Sequence, residues 1–317
     1  MKTDKIVLEN AEFARIGFNS LSIPLLKIGK GKPIVSIIAG THGDETSSLL
    51  ILDKLIKSLP DEINGCLNVI LSANPLARME DKRFSSFDGL DMNRIFPGNF
   101  IGAITSKCAN KLIEILKDSN FVLDLHEFGM ETPIMGIFVK SDKQFINEEN
   151  IKLMNSFNPK QCWVIDSSKK DEKQFGKSLG SALNDLEINN IAIELNNSKV
   201  ITEKEIDECV QCINRVLSAK GLIKSDKLIE NKFNFFDRLE ILALKEGIFI
   251  PKLKVFDLVH KGEIIGFLRT LPGFEDIQIE SPIDGTIMQL SKKTFVSFGR
   301  AVAAVGKVLD VGGENDC

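Results

Sequence analysis

Short apolar runs alternate with amphipathic segments over the first two thirds of the chain. Continuous apolar runs at 34–39, 67–72, 121–127 and 191–197 are typical of strands buried on both faces of a parallel sheet. Segments whose apolar residues recur at helical spacing lie between and after them, at 46–59, 105–117 and 204–219. This alternation predicts an α/β fold with a mixed, largely parallel sheet flanked by helices.

Weaker signals extend this prediction. A strand candidate at 21–28 and a Gly-Lys-Gly turn at 29–31 predict an edge hairpin that leads into the strand at 34–39. The first helix is expected to be capped by Thr46 or Ser47 and to stop at Pro60. Further strands are expected at 133–139 and 162–165, and further helices at 144–157 and 173–186.

The composition changes after a charged segment at 220–231. Short β-type runs then alternate with Gly and Pro turns, at 239–244, 247–250, 254–259, 263–269, 276–279, 285–290 and 302–305. This pattern is typical of a small all-β domain. We therefore expect a larger α/β domain at 1–228 and a smaller C-terminal all-β domain at 229–317.

Composition narrows the class of protein. The chain has 317 residues, of which 43% are hydrophobic and 26% charged, as is ordinary for a globular protein. A net charge of −4 without a basic block argues against general affinity for nucleic acid or anionic membranes. No run is long enough to span a membrane, and the first residues lack the apolar core of a signal peptide. With six scattered cysteines, a cytoplasmic location is expected.

Two of these cysteines have the spacing of a redox or zinc motif. Cys209 and Cys212 lie, however, inside a helical pattern, and no second pair of this kind follows. We therefore expect two thiols packed on a helix.

A histidine and a glutamate follow the first buried strand directly. His42 and Glu45 fall in the crevice beyond the carboxyl end of that strand, where open α/β sheets bind their ligands. Both side chains can reach one divalent ion, which would be half of a His₂Glu zinc site. The alternative is a carboxylate that only complements the helix dipole, beside an ordinary turn histidine.

A second strand also ends in a histidine. His126 closes the run at 121–127, and Asp124, on the same side of the strand, can orient its imidazole or pack as a supporting group. Of the three histidines in the chain, these two lie at strand ends, and His260 lies in the later β-rich region. The positions of His42 and His126 therefore favour one shared ion.

A lone carboxylate, that of Glu194, interrupts the apolar run at 191–197. A buried carboxylate is costly unless it is paired or functional, and burial raises its pKa toward the range that a general base needs. The alternative is that Glu194 points outward at the strand end.

The segment 74–99 has no regular periodicity and is long for a loop, which is usual for functional loops. It carries Arg78, Arg83 and Arg94, whereas no arginine occurs from 95 to 214. Because the guanidinium fork binds a carboxylate through two hydrogen bonds, this cluster indicates anion recognition. A solvated charged loop is the alternative.

Six short motifs occur in sequence within 33–200. They are Ala39-Gly-Thr-His-Gly-Asp-Glu45, Asn74-Pro-Leu-Ala77, Arg83-Phe84, Asp88-Gly-Leu-Asp-Met-Asn-Arg-Ile-Phe-Pro-Gly98, Asp124-Leu-His126 and Ile193-Glu194. Together they resemble the succinylglutamate desuccinylase/aspartoacylase family, deacylases related to the zinc carboxypeptidases. The resemblance implies a zinc carboxypeptidase-like fold and hydrolysis of the amide bond of an N-acyl amino acid by a water molecule activated by Zn²⁺.

The resemblance also implies roles for individual residues. One Zn²⁺ per chain would be held by His42, Glu45 and His126, with Glu194 as the general base and Arg83 beside the scissile carbonyl. Asn93 and Arg94 would bind the carboxylate of the substrate. These roles agree with the chemistry, since zinc polarises the amide carbonyl, Glu194 moves the proton of the water to the leaving amine, and Arg83 stabilises the oxyanion.

Two departures from the family bear on the substrate. The chain has no tyrosine, so the phenol that carboxypeptidases and aspartoacylase bring to the substrate is missing. The second arginine expected of an enzyme that selects an aspartate side chain is missing between 95 and 214, where Lys169, Lys170 or Lys173 could substitute less specifically. We therefore expect a related amidohydrolase with an unassigned acyl group.

Other readings stay open. A zinc carboxypeptidase acting on peptides is the main rival, and a non-catalytic zinc-binding protein is a second one, against which Glu194 and Arg83 argue. The segments 259–266 and 281–288 resemble a biotinyl/lipoyl-type module without the Met-Lys-Met hairpin of a cofactor arm. This module would shape access to the cleft or only pack as a core. The expected partner is a small-molecule substrate, with no nucleic acid and no membrane, and a homo-oligomer stays open.

Overall fold

The computed structural model describes residues 6–140, 147–170, 172–195, 201–224, 233–291 and 295–309. The strands in these ranges are β1 Ile6–Ile16, β2 Asn19–Lys30, β3 Ile34–Ala39, β4 Gly65–Ile70, β5 Phe121–Glu127, β6 Met135–Lys140, β7 Gln161–Asp166, β8 Asn190–Leu195, β9 Asn234–Leu242, β10 Gly247–Pro251, β11 Leu258–Val259, β12 Ile264–Thr270, β13 Asp276–Glu280, β14 Gly285–Leu290, β15 Phe295–Val296 and β16 Ala301–Val308. The α-helices are α1 Ser47–Ser58, α2 Pro75–Met79, α3 Ile104–Leu116, α4 Glu148–Phe157, α5 Leu179–Asp185 and α6 Glu203–Ala219, with short 3₁₀ helices at Met92–Arg94 and Lys173–Lys177.

The central sheet is mixed and largely parallel in its middle, as predicted. Its strand order is β1-β2-β4-β3-β5-β8-β6-β7-β9-β16-β14-β11. Strands β4, β3, β5 and β8 are parallel to one another, β6 is antiparallel to β8, and β7 is parallel to both β6 and β9. The carboxyl ends of β3, β5 and β8 therefore meet at one edge.

Helices cover both faces of this sheet. Helices α1, α4 and α6 pack in one apolar cluster with Ile37, and helices α3 and α5 pack in another with Ile38. Neighbouring strand residues point to opposite faces, so the two isoleucines fix β3 from both sides. The turn that follows β3 consequently leaves a strand that is held in place on each face.

The N-terminal hairpin differs from the prediction. Strand β2 pairs with β1 and with β4, not with β3, because both edges of β3 are occupied by β4 and β5. Strand β1 was not predicted, since its apolar residues are largely exposed, with 55% of Val7 and 62% of Leu8 accessible to solvent. Its pattern therefore carries little of the alternation that marks a half-buried strand.

The expected helix at 173–186 is also interrupted. A 3₁₀ turn at Lys173–Lys177 ends before Ser178, whose hydroxyl accepts a hydrogen bond from the backbone N–H of Ser181 and caps α5. A serine at this position offers the chain a new helix start, which the apolar spacing alone does not show.

The strands after residue 233 belong to two sheets, one of which is the central sheet. β9 hydrogen-bonds to β7, with Trp163 opposite Phe236, and β16, β14 and β11 continue the central sheet beyond it. Strands β13, β12, β10 and β15 form a separate antiparallel sheet that shares an apolar cluster with the first. The predicted boundary between 228 and 229 lies outside the described residues. Within the described ranges, no helix has the length and apolar character needed to cross a membrane.

Candidate metal and substrate site

Three buried side chains converge at the carboxyl edge of the sheet, namely His42 and Glu45 after β3 and His126 in β5. The Nδ1 atom of His42 lies 2.5 Å from Oε1 of Glu45, and the Nδ1 atom of His126 lies 3.0 Å from Oε2 of the same carboxylate. One candidate ligand atom from each residue falls within 4.8 Å of the other two. We refer to these three residues as the His-Glu-His group.

Each imidazole has a second carboxylate behind it. The Nε2 atom of His126 lies 2.9 Å from Oδ2 of Asp124, and the Nε2 atom of His42 lies 3.2 Å from Oδ1 of Asp91. Metal-bound histidines commonly have such a partner, which fixes the ring and raises its basicity. Both Nδ1 atoms are thereby directed at the same point, next to the carboxylate of Glu45.

The charges of the His-Glu-His group affect one another. Burial opposes the charged form of each residue, yet the Asp124 and Glu45 carboxylates raise the pKa of His126 well above its ordinary value. The two imidazoles likewise hold the pKa of Glu45 far below its usual range, against the effect of burial. A buried carboxylate between two imidazoles therefore attracts positive charge, and a divalent cation would supply it.

Arg78 holds the turn that carries Glu45. Its guanidinium donates to the carbonyl oxygens of Gly43 and Glu45, at 2.7 and 2.9 Å. The sequence interpretation named Arg78, Arg83 and Arg94 together as candidates for anion recognition. The guanidinium of Arg78, however, donates its hydrogen bonds to backbone carbonyl oxygens. Its role is thus to fix the position of Glu45.

Glu127 takes over the capping that was expected of Thr46 or Ser47. Thr46 precedes α1 without a side-chain cap, and the Glu127 carboxylate accepts hydrogen bonds from the backbone N–H and hydroxyl of Ser47, at 2.6 and 3.0 Å. Burial raises the pKa of Glu127. Since Glu127 follows His126 directly, the helix that follows Glu45 is tied to the strand that carries His126.

Glu194 in β8 lies directly opposite His126 in the parallel pairing of β5 with β8. Its side chain is buried and its Oε2 atom has no hydrogen-bond partner among the described residues. Burial raises its pKa from 4.5 to about 7. The alternative in which Glu194 points outward is wrong, and its carboxyl group faces the same cavity as the His-Glu-His group.

Arg83 and Asn93 are connected to the site through Asp91. Asp91 accepts hydrogen bonds from Nε and Nη2 of Arg83, at 3.0 and 2.9 Å, and from the backbone N–H of Asn93. The Asn93 side-chain oxygen accepts from the backbone N–H of Leu179. Arg94 donates from Nη1 to the carbonyl oxygen of Asn93, and its guanidinium lies 4.3 Å above the ring of Phe175.

A cavity of about 210 Å³ joins these groups. All seven residues named from the sequence contribute to its wall. One side is formed by Phe128, Trp163 and Phe175, which we call the aromatic wall. The C-terminal strand β9 adds Arg238 and Glu240.

The arginine from β9 was missed by the sequence interpretation. The interval 95–214 contains no arginine, and Lys169, one of its three candidate substitutes, pairs with Asp237 at 2.8 Å. Arg238 lies outside that interval and one residue before the strand predicted at 239–244. The available signal was an arginine two residues after a phenylalanine-rich run that ends at Phe236, in a segment attributed to a separate domain.

Comparison with known proteins identifies the family. The family model described as the succinylglutamate desuccinylase/aspartoacylase catalytic domain matches residues 32–220, more than half of the chain. The chain belongs to this family. Its members are amide-bond hydrolases, and the resemblance stated from the sequence motifs is confirmed.

Two curated relatives match shorter parts of the chain. The chain is 31% identical to the N-alpha-acetyl-L-2,4-diaminobutyric acid deacetylase of Halomonas elongata over 134 aligned residues. This alignment covers 41% of the chain and 38% of the deacetylase. The chain is 48% identical to murein peptide amidase A of Vibrio campbellii over 63 aligned residues. This alignment covers 19% of the chain and 24% of the amidase. The matches thus span less than two fifths of either relative.

Two solved structures superpose over nearly the whole chain. The product-bound ectoine utilization protein EutE (DoeB) of Ruegeria pomeroyi superposes with a TM-score of 0.84 at 18% identity and 95% coverage of both chains. A succinylglutamate desuccinylase/aspartoacylase of Rhodobacter sphaeroides gives 0.82 at 21% identity and 97% coverage of both. The likeness includes the C-terminal β strands.

Proposed function

We propose that this protein is a zinc-dependent amidohydrolase that cleaves the amide bond of an N-acyl amino acid. The observation that carries the proposal is the convergence of the His-Glu-His group in one small cavity with the buried Glu194, whose Oε2 atom has no hydrogen-bond partner among the described residues. Two imidazole nitrogens and one carboxylate are the protein ligands of many catalytic zinc sites, which keep a further position open. The carboxylates of Asp91 and Asp124 behind the imidazoles fit this use.

When bound, a zinc ion would make water a stronger nucleophile and polarise the amide carbonyl. The residues of the chain supply the other requirements. Glu194, with its pKa raised to about 7, would take a proton from the attacking water and deliver it to the nitrogen of the leaving amine. Arg83 makes no hydrogen bond through Nη1 in the described part of the chain and would donate to the carbonyl oxygen as negative charge develops there.

Substrate position would depend on Asn93 and Arg94. The side-chain oxygen of Asn93 accepts a hydrogen bond from the backbone N–H of Leu179, so the side-chain N–H groups of Asn93 can face a carboxylate. Arg94 is packed on Phe175, which restricts its guanidinium to one plane. The distance from these two residues to the His-Glu-His group would decide which amide bond is presented for cleavage.

A peptide-cleaving carboxypeptidase is the second candidate. The match of 63 residues to murein peptide amidase A favours it. The size of the cavity favours the deacylase, because about 210 Å³ is less than the roughly 300–1,000 Å³ of pockets that hold drug-sized ligands. A compact N-acyl amino acid suits such a space better than a peptide does.

A cytoplasmic location and assembly into a homo-oligomer stay predictions.

The proposal is tested by zinc analysis and by release of free amine. Protein stripped with a chelator and reloaded with zinc is assayed on N-acetyl, N-succinyl and N-formyl amino acids and on short peptides. We expect amine release from acylated amino acids only with zinc present, and a loss of at least about 100-fold in Glu194→Gln with zinc retained. The exposed Glu280→Gln is the matched control.

Each other outcome separates the alternatives. Release from peptides alone would support the carboxypeptidase. Zinc bound without hydrolysis of any compound would indicate a non-catalytic zinc protein, and full activity of Glu194→Gln would contradict the role given to Glu194.

A further inference from the structure

The backbone around Glu45 is held by two charged side chains from elsewhere in the fold. We call residues 43–48 the ligand turn, because this segment carries Glu45 and leads into α1. Arg78, in α2, donates to the carbonyl oxygens of Gly43 and Glu45. The approach is close, since a β-carbon added at Gly40 would lie 2.6 Å from Nη2 of Arg78. The glycine at this position therefore leaves room for the guanidinium.

Glu127 holds the other end of the ligand turn, where α1 begins. Its Oε1 atom accepts from the backbone N–H groups of Ser47 and Ser48, at 2.6 and 3.4 Å, and its Oε2 atom accepts from the hydroxyl of Ser47. The first N–H groups of a helix have no partner within the helix, and the helix dipole favours a carboxylate there. This carboxylate comes from β5, 80 residues further along the chain than Ser47.

The two side chains act on Glu45 from opposite sides. Arg78 holds carbonyl oxygens at and before Glu45, and Glu127 holds N–H groups that follow it. Because Glu127 directly follows His126, the same contacts set the distance between the ligand turn and that histidine. The carboxylate of Glu45 reaches the imidazoles of both His42 and His126, so a movement of the turn would break this arrangement.

Neither residue belongs to the motifs that carry the family resemblance. Arg78 directly follows the motif at 74–77, and Glu127 directly follows the motif at 124–126. The roles that the resemblance implies include neither residue. The support of the ligand turn is therefore a feature of the structure that the motifs do not account for.

We propose that Arg78 and Glu127 are positioning residues for the metal, which hold the carboxylate of Glu45 in place before an ion is bound. This inference rests on the proposed function for the identity of the ion as zinc. A turn that is fixed in advance loses less conformational freedom when an ion binds, so both residues should strengthen zinc binding without touching the ion.

The test measures zinc binding to the full chain by competition with a coloured chelator, and hydrogen exchange of backbone N–H groups in the metal-free protein. Glu127→Ala removes the carboxylate, and Glu127→Gln keeps its shape and one acceptor oxygen. Arg78→Met keeps an apolar stem without donors. Thr202→Ala is the matched control, because it removes an N-cap from α6, a helix that carries none of the proposed ligands.

We expect zinc to bind roughly 10- to 100-fold more weakly in Glu127→Ala and in Arg78→Met, as for other residues that support metal ligands. Glu127→Gln should lose less, because its amide oxygen can still accept from the backbone N–H of Ser47. Hydrogen exchange at Ser47 and Ser48 in the metal-free protein should be faster in both Glu127 variants. The visible spectrum of bound Co²⁺, which reports coordination geometry, should change in Glu127→Ala. Thr202→Ala should leave zinc affinity and this spectrum unchanged.

The double variant shows whether the two residues act on one segment. Glu127→Ala combined with Arg78→Met should weaken zinc binding by less than the product of the two single effects. The reason is that a turn released at one end loses little more when the other end is released as well. A loss equal to the product would show two independent effects and would contradict a shared action on Glu45.

Unchanged zinc affinity in both Glu127→Ala and Arg78→Met would overturn the inference. An equal loss in Thr202→Ala would also overturn it, because the effect would then be one of general stability. If Glu127→Ala does not fold, Glu127→Gln carries the same comparison.

Zinc binding needs no turnover, so the result is independent of the proposed reaction. Protein whose zinc affinity falls in the variants, but which hydrolyses nothing, would remove the proposed hydrolysis and leave the positioning role. Protein that hydrolyses its substrate with zinc, and whose variants bind zinc as tightly as the wild type, would do the reverse.

Discussion

Replacing Glu194 by glutamine should stabilise the metal-free protein at alkaline pH. The carboxyl group of Glu194 is buried, its Oε2 atom has no hydrogen-bond partner in the described part of the chain, and burial raises its pKa from 4.5 to about 7. A carboxyl group with a raised pKa favours the folded state below its unfolded value of 4.5, and this contribution is lost as the pH rises to 7. Glutamine has nearly the same shape and carries no charge at any pH.

The magnitude follows from the difference between the two pKa values. At about 1.4 kcal/mol for each pH unit, a pKa of about 7 against 4.5 corresponds to about 3 kcal/mol. At pH 8.5 the wild type should therefore be less stable than Glu194→Gln by about 3 kcal/mol. At pH 5.0, where most of the group is protonated in the folded state, the difference should shrink to about 1 kcal/mol.

Urea unfolding in the presence of a chelator measures both free energies. Trp163 is buried and is the one tryptophan of the chain, so its fluorescence reports the loss of the cavity wall. Glu280→Gln, which removes one exposed carboxylate, controls for the change in net charge. Equal stability of wild type and Glu194→Gln at pH 8.5, or a difference that does not change with pH, would refute the reasoning.

Three further predictions concern the supporting residues. Asp124→Asn removes the charge behind His126 and should weaken zinc binding roughly 10- to 100-fold, as measured by competition with a coloured chelator. Arg94→Lys loses the fork and the stacking, so steady-state kinetics should show KM raised roughly tenfold with kcat little changed. In Gly43→Ala the new methyl group would lie 2.0 Å from the carbonyl oxygen of Ala77, and urea unfolding should show a loss of about 1–3 kcal/mol.

Each of these has a contrary result. Unchanged zinc affinity in the Asp124 variant would mean that the carboxylate does not support the ligand. A fall in kcat at constant KM in the Arg94 variant would place that residue at the reacting carbonyl. For the glycine, Gly273→Ala is the matched control, since an added methyl group there meets no atom nearer than 3.9 Å.

The parts of the fold that local pattern determines were predictable. The runs that became β3, β5 and β8 are apolar because both faces of the sheet are covered, and the polar residues at their carboxyl ends stand out against that background. His42, His126 and Glu194 were therefore visible as single polar residues in apolar surroundings. The structure brings all three to one cavity.

Residues that act through distant contacts were not predictable. Asp91 connects Arg83 to His42, and Glu127 caps the helix after Glu45, but neither contact follows from local spacing. Arg238 reaches the cavity because β9 pairs with β7, a contact between segments about 70 residues apart in the sequence. Long-range pairing of this kind depends on the whole sheet.

The pairing of β7 with β9 divides the encoding of the enzyme between two stretches of the gene. The side chains that would cleave the amide bond are encoded before residue 195. One side of the cavity that would receive the substrate is encoded by Asn234–Leu242. Substitutions in this nine-residue strand can alter what is admitted while the reacting groups stay untouched. Exchanging it among relatives offers a route to new selectivity on an unchanged catalytic framework.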